Sequence, residues 1–359
     1  MAAAPTPGPL PREVGIVGVG LIGGSLGLAL RERLGILPRG YDLPERLAAA
    51  AGRGAVEPCT SLEEAVAEAE VVFVATPLGR LAEDVKAVLA GCPAHCAVSD
   101  VGSTKRQLVE AIDHPRFIGG HPLAGGERAG VEAARADLFN GASWYLTPGR
   151  ATADWAFARL HALICALGAR PLCLSAARHD RLMAATSHLP HLVANALVEQ
   201  AAELEGACRP LLAGAAGPSF RDATRVAGAN GPLWGEIFLA NGPELLARLA
   251  VFQRSLRELA ALIESGSAQG LAERQEQVAR LRRLLLDQPQ AGRAVPVGIP
   301  AGASLAALAL RLGEAGIPIE RVEPLSDGGG CDRFTVWVEE RAAERARQLI
   351  GGESGGASR

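Results

Sequence analysis

Four groups of residues in this 359-residue chain carry side chains suited to taking or orienting a proton or holding an anion. His121 lies in Gly119-Gly120-His121-Pro122-Leu123-Ala124-Gly125-Gly126-Glu127, after an apolar run of strand type and before a turn. An imidazole titrates near neutrality, so His121 can accept a proton there; it can equally cap the turn. Ser103, in Asp100-Val101-Gly102-Ser103-Thr104-Lys105, follows another strand-like run. Its hydroxyl can orient an imidazole or a substrate, cap the next helix, or do both. Ser187-His188-Leu189-Pro190-His191 sets two imidazoles three residues apart. That spacing puts both on one helical face, although Pro190 interrupts the helix. Spacing alone admits a metal pair, but no third ligand lies near in sequence, and no metal is expected. Phe220-Arg221-Asp222-Ala223-Thr224-Arg225-Val226-Ala227 holds two arginines and an acid. A guanidinium beside an active site binds a carboxylate through two hydrogen bonds; the plain alternative is a solvated helix face.

The element that would position these groups opens the chain. Val14-Gly15-Ile16-Val17 reads as a strand and runs into Gly18-Val19-Gly20-Leu21-Ile22-Gly23, and a helical pattern from Ser25 follows. This is the glycine fingerprint of a dinucleotide site. Gly18 permits the tight turn, Gly20 lets backbone approach a pyrophosphate, and Gly23 lets the helix pack on the strand. The helix N-terminus then offers unpaired N–H groups and a positive dipole end to the phosphates. Asp42 lies about 20 residues on, where an acid accepts the ribose hydroxyls and repels a 2′-phosphate. The expected cofactor is therefore NAD rather than NADP; alternatively Asp42 caps the turn Asp42-Leu43-Pro44-Glu45. Ligands of open parallel sheets bind beyond the carboxyl ends of the strands, so His121 is expected to point at the nicotinamide.

Residues 12–176 alternate strand and helix, with strands expected at 15–19, 39–42, 71–76, 97–100, 116–119, 143–147 and 170–175. That order implies a Rossmann-type α/β fold with a doubly wound, mostly parallel sheet. Residues 177–287 lose the strand pattern and read as an all-helical domain; by fold analogy such domains dimerise, so a homodimer is expected. After the linker Gln288-Pro289-Gln290-Ala291-Gly292, residues 294–350 read as a small α+β module of order βαββα. A net charge of −3 gives no electrostatic case for nucleic acid or an anionic membrane. No apolar run reaches the 18 or so residues of a membrane helix. Met1–Pro11 lacks the basic start and apolar segment of a signal peptide. The seven cysteines are odd in number and irregular in spacing, and so read as free thiols in a cytoplasmic protein.

Taken in order, the glycine fingerprint, Val74-Ala75-Thr76-Pro77, Asp100–Lys105, His121–Gly125, Ser187–His191 and Phe220–Arg225 resemble the prephenate/arogenate dehydrogenase family of tyrosine biosynthesis, from about Glu13 to Leu286. The last segment resembles an ACT-type regulatory module. The resemblance implies NAD-dependent oxidative decarboxylation of prephenate to 4-hydroxyphenylpyruvate. It implies His121 as acceptor of the ring-hydroxyl proton and Ser103 as the serine bonded to that hydroxyl and to the histidine. Arg225 would hold the side-chain carboxylate, with His191, His188 and Lys105 also on the substrate and Trp234 near the mouth. Thr76 and Pro77 would border the cofactor, beside Gly18, Gly20, Leu21, Ile22, Gly23 and Asp42. Glu127 and Asp222 would belong to a gating ionic network. An ACT-type module would bind tyrosine as feedback inhibitor at Ala301-Gly302-Ala303-Ser304.

Alternatives remain within and outside this class. An arogenate or dual-specificity cyclohexadienyl enzyme would share these residues, as would an NAD-sensing protein that has lost catalysis. Hydroxy-acid dehydrogenases would need a lysine base in the helical domain, and residues 151–293 contain no lysine.

Overall fold

The computed structural model describes residues 10–126, 130–204, 211–286, 293–300, 302–324 and 334–351. Glu127 and Ala301 lie outside the described residues. The first region runs β1 (Val14–Val17), α1 (Leu21–Leu34), β2 (Arg39–Tyr41), α2 (Pro44–Gly52), β3 (Glu57–Pro58), α3 (Leu62–Val66), β4 (Val71–Val74), α4 (Leu78–Gly91), β5 (Ala97–Asp100), α5 (Arg106–Ala111), β6 (Phe117–Pro122), β7 (Ser143–Pro148), α6 (Asp154–Ala166) and β8 (Arg170–Cys173). Its eight strands form one sheet in the order β3-β2-β1-β4-β5-β6-β7-β8. Strands β1, β4 and β5 are buried along their whole length, as a sheet covered on both faces requires. The order reverses between β1 and β4, which opens a ligand crevice at their carboxyl ends.

One strand departs from expectation in a way that matters for the site. His121 was expected just past a strand end but lies inside β6, opposite Tyr145 of β7. β5 pairs with β6 only through Phe117 and Ile118, whereas antiparallel β7 continues the ladder to Pro122. The imidazole therefore stands on a strand that overreaches its neighbour at the crest of the sheet.

The helical region comprises α7 (Ala176–Met183), α8 (Leu189–Ala202), α9 (Leu212–Ala215), α10 (Pro218–Thr224), α11 (Gly231–Ala240), α12 (Gly242–Glu264) and α13 (Ala268–Leu286). Pro190 does not break the rod formed by α7 and α8. A π turn at Ala184–His188 joins the two helices just ahead of the proline, shifting the bonding register where an N–H is missing. Leu239, Leu246, Ile263, Leu284 and Leu285 are each more than half exposed along α11, α12 and α13. No described helix is long and apolar enough to cross a membrane.

The last region contains β9 (Ala294–Gly298), α14 (Leu305–Glu314), β10 (Arg321–Pro324), β11 (Phe334–Glu339) and α15 (Ala343–Gly351). Its antiparallel sheet has the order β10-β11-β9, and among the described residues no strand follows α15. The module is not a separate bead. Leu305, Leu308, Leu312, Ile317 and Ile319 join one apolar core with Phe157, Leu160 and Ile164 of α6. Each leucine so enclosed contributes about 2 kcal/mol of transfer free energy. Asp154 at the start of α6 accepts hydrogen bonds at Oδ1 from Ser304 Oγ (2.9 Å) and Ala306 N (3.0 Å) at the start of α14. His161 Nε2 lies 2.9 Å from the Ile319 carbonyl oxygen and donates to it.

Candidate active site

The glycine turn between β1 and α1 is built as the fingerprint requires. Gly18 has φ +91°, and a Cβ on Gly23 would lie 1.9 Å from the Gly18 carbonyl oxygen, so neither position accepts a side chain. Above Gly20 a Cβ would meet nothing within 4 Å, and α1 starts with no side-chain cap. Its first amides at Leu21 and Ile22 are thus open to an anion. Asp42, at the carboxyl end of β2, accepts from Val19 N (2.8 Å) and Leu43 N (2.6 Å). Its carboxylate thereby pins the glycine turn as well as the start of the next loop, while α2 begins at Pro44 with Leu43 before it and no side-chain cap. Across the crevice the Thr76 hydroxyl is buried without a hydrogen-bond partner, next to exposed Pro77. An open amide cradle, an acid at the ribose position and an orphaned hydroxyl fit a dinucleotide.

Asp100, at the end of β5, organises the catalytic edge. Its Oδ1 accepts from Gly120 N (3.0 Å), its Oδ2 from Gly102 N (2.7 Å), and the same carboxylate pairs with the Lys105 ammonium. Lys105 has no exposed surface. The lysine expected on the substrate is instead spent inside the protein, tying the Ser103 loop to β5. Burial pulls its pKa below the usual ammonium range, against the pull of Asp100. Ser103 is half-buried in that loop, and no hydrogen bond joins it to His121.

His121 heads a chain of hydrogen bonds that sequence reading missed. Its Nδ1 is 2.8 Å from His179 Nε2, and His179 Nδ1 is 2.8 Å from Asp180 Oδ1. The Asp180 carboxylate also accepts from Lys105 N (2.8 Å) and Arg106 N (2.9 Å). Burial alone would raise its pKa, but the His179 and amide hydrogen bonds outweigh it and the net shift is downward. The ionised acid sets both tautomers. Asp180 accepts from His179 Nδ1–H, so His179 Nε2 carries the lone pair and accepts from His121 Nδ1–H. His121 Nε2 is left as a bare lone pair on a ring 8% exposed. Burial first, then the neighbouring His179 and Lys105, hold the His121 pKa well below its ordinary value, so the ring is neutral at pH 7 and ready to accept a proton. Tyr145 supports the relay by packing edge-on to His179, with ring centroids 5.3 Å apart.

The helical region supplies the opposite wall. His188 and His191 lie on either side of the π-turn junction with α8 and are both buried. Trp234 of α11 stacks on His191 with centroids 3.6 Å apart and meets His188 edge-on at 6.2 Å. His191 Nδ1 is buried without a partner, and burial lowers its pKa. His188 Nδ1 accepts from Asn241 Nδ2 (3.0 Å), which also donates to the Asp180 carbonyl oxygen (2.8 Å). Asn241, a further residue the sequence reading missed, so joins the histidine wall to the relay. Burial brings the His188 pKa down to about 4. Arg225 begins a 3₁₀ turn, Arg225–Gly228, that packs against α8, the helix carrying His191. Asp222 is exposed on α10; its expected gating partner Glu127 lies outside the described residues. Glu236 of α11 accepts from Gly79 N (3.1 Å) in the first turn of α4, linking the two walls beside Thr76 and Pro77.

A glycine turn built for a dinucleotide, a neutral, relay-tuned imidazole and a wall of histidines from the helical region define an NAD-dependent dehydrogenase. Residues 26–172 match the family model "Prephenate dehydrogenase, nucleotide-binding domain", and residues 175–277 match "Prephenate dehydrogenase, dimerization domain". A prephenate dehydrogenase of Bacillus subtilis is 33% identical over 265 residues, covering 71% of each chain. The Aquifex aeolicus prephenate dehydrogenase structure, solved with hydroxyphenyl propionate and NAD+, superposes with a TM-score of 0.71 at 31% identity, over 77% of this chain and 98% of that one. A Synechocystis arogenate dehydrogenase structure gives 0.67 at 30% identity, over 76% of this chain and all of its own. The chain belongs to the prephenate dehydrogenase family, and it is an NAD-dependent oxidoreductase.

Proposed function

We propose that the protein oxidatively decarboxylates prephenate to 4-hydroxyphenylpyruvate, a step of tyrosine biosynthesis. The observation that carries this reading is the bare Nε2 of His121, presented at the sheet crest by the His179–Asp180 relay. Gly18, Gly20, Leu21, Ile22 and Gly23 would hold the pyrophosphate of NAD, Asp42 the ribose, and Thr76 and Pro77 the nicotinamide side. NAD, when bound, supplies the hydride acceptor. His121 Nε2 takes the proton of the ring hydroxyl, and Ser103 orients that hydroxyl. The imidazolium so formed is stabilised through His179 by the Asp180 carboxylate. Loss of the ring carboxylate as carbon dioxide is driven by aromatisation and asks little of the protein. Arg225 is better used in positioning the side-chain carboxylate, with His191 and Trp234 flanking the ring and His188 behind them. Lys105 acts at one remove, through Asp100, by holding the Ser103 loop. Asp222 and Glu127 are proposed as the gate.

Absorbance of NADH formed from prephenate and from arogenate, measured side by side, tests this reading. Prephenate should give the higher kcat/KM; preference for arogenate would transfer the assignment to the amino-acid substrate, and no NADH from either would refute it. The exposed leucines of α12 and α13 support a homodimer through the helical region. The described cysteines are all free thiols, which supports a cytoplasmic setting. Tyrosine, sharing the ring and carboxylate of the product, is proposed as a feedback inhibitor. Gly302 marks the turn proposed for it on the module, but Asp154 already engages the α14 N-terminus there. Inhibition noncompetitive with prephenate would place tyrosine on the module, and competitive inhibition would place it in the cleft.

A further inference from the structure

The connection from α4 to β5, at the end of the sheet away from the catalytic crest, holds a feature that the reaction does not use. Cys92 closes α4, its N–H donating to the Val88 carbonyl oxygen, and Cys96 N donates to the Pro93 carbonyl oxygen (3.0 Å). This tight turn brings the two cysteine side chains together, four residues apart, with the Cys96 thiol 3.5 Å from the Ala97 carbonyl oxygen. Arg116, which leads into β6, reaches the pair. Its Nη1 lies 3.0 Å from Cys92 Sγ and also donates to the carbonyl oxygens of Cys92 (3.2 Å) and Pro93 (2.6 Å); Nη2 donates to that of Leu89 (2.6 Å). Three carbonyls thus aim a guanidinium at one sulfur, and among the described residues no carboxylate pairs with it. Among the described residues, no other cysteine sulfur has a guanidinium within hydrogen-bond distance. Burial pushes the Cys165 thiol up to about 12 and raises Cys173 further, while Cys59 is raised by burial and by Glu64. Cys92 goes the other way, to about 7, through the neighbouring Cys96 thiol and then, against burial, the charge of Arg116. Cys96 is fully enclosed and Cys92 keeps 7% of its surface open, so a small oxidant meets Cys92 first.

We propose that Cys92 and Cys96 form a peroxide-reactive dithiol, with Cys92 as the attacking thiolate, Arg116 as its positioning cation and Cys96 as the resolving thiol. The Cys92 sulfur attacks one oxygen of hydrogen peroxide. An S–O bond forms, the O–O bond breaks, and the departing hydroxide leaves as water after taking a proton. The Cys96 sulfur then displaces the hydroxyl of the Cys92 sulfenic acid. An S–S bond forms, the Cys96 proton leaves with that hydroxyl as a second water, and two thiols have been oxidised for one peroxide reduced. A thiol reductant reverses the change.

The test treats the full chain with hydrogen peroxide, then counts thiols after denaturation and maps disulfide-linked peptides. The expected result is loss of two thiols, one linked peptide joining Cys92 to Cys96, and full recovery with dithiothreitol. Cys96→Ser should stop at a sulfenic acid on Cys92 that dimedone labels, and Cys92→Ser should protect Cys96. Arg116→Gln should slow Cys92 alkylation at pH 7 by about threefold, since Cys96 still lowers the Cys92 pKa and the smaller thiolate fraction is partly offset by higher nucleophilicity. Should that variant unfold, the pH dependence of Cys92 alkylation in the unaltered chain reads the same quantity, with its midpoint expected near pH 7. Oxidation scattered over Cys59, Cys165 and Cys173, resistance of Cys92 to peroxide that oxidises free glutathione, or an alkylation midpoint near pH 9 would each overturn the proposal.

Discussion

Asp180→Asn removes the charge at the far end of the relay while keeping its shape. Both carboxylate oxygens are in use: Oδ1 faces His179 and Lys105 N, and Oδ2 faces Arg106 N. An asparagine that keeps its oxygen at the Oδ1 position preserves the buried bonds and both tautomers, losing the less buried bond to Arg106 N at a cost of about 1 kcal/mol in stability. What disappears is the negative charge that stabilises the His121 imidazolium. The two 2.8 Å hydrogen bonds and the intervening ring set that charge roughly 9 Å from His121. At an effective dielectric constant of about 20 the interaction is worth about 2 kcal/mol, or about 20- to 30-fold in the proton-accepting step. The assay is the pH profile of kcat/KM for prephenate, followed by NADH absorbance. The variant should fall by that factor at pH 7, and its acidic limb should move to lower pH by about 1.5 units, because a missing anion makes the imidazolium harder to form. A variant within twofold of the parent at every pH, with an unmoved limb, would refute the relay.

Other consequences follow from the same geometry. Arg225→Ala should raise KM for prephenate by at least about tenfold, the scale of a lost charged hydrogen-bond pair, with a smaller change in kcat; an unchanged KM removes the carboxylate clamp. Asp42→Asn should weaken NAD and narrow its advantage over NADP in side-by-side kinetics, since the acid serves both the ribose position and the Val19 amide. His161 and His188 are each depressed by burial to about 4 from the ordinary 6.5. The unfolded chain therefore binds more protons between those values, and stability present above pH 6.5 is lost as pH falls toward 4. Each group accounts for about 3 kcal/mol. Thermal melts from pH 7 to pH 4.5 should show the loss, and a melting temperature flat across that range would contradict it.

The parts of this molecule that were legible in the sequence are those set by local pattern. The glycine turn, the alternation of buried strands with helices, and the switch to long helices after residue 177 all follow from nearest-neighbour spacing. The parts that were not legible depend on partners distant in sequence. His179 and Asp180 look like two polar residues on the helical run Arg178-His179-Asp180-Arg181; only the fold brings them under His121, 58 residues earlier. Lys105 beside Ser103 looks like a cation at the mouth of a site, but the turn after β5 folds it back onto Asp100 and seals it. His121 moved from loop to strand because antiparallel pairing by β7 lies downstream and leaves no mark on β6 itself. Pro190 read as an interruption, and the π turn before it is a backbone solution that no residue type announces. The C-terminal module shares its core with α6, although the preceding Pro- and Gly-containing segment reads as a linker between separate bodies.

The most direct test of the account is kcat for prephenate oxidation by His121→Asn, with KM measured alongside. Removing a positioned base should lower kcat by about 10²–10⁴ while leaving KM nearly unchanged, because Arg225 and the helical wall still hold the substrate. Turnover close to that of the parent enzyme would show that the ring-hydroxyl proton leaves by another path.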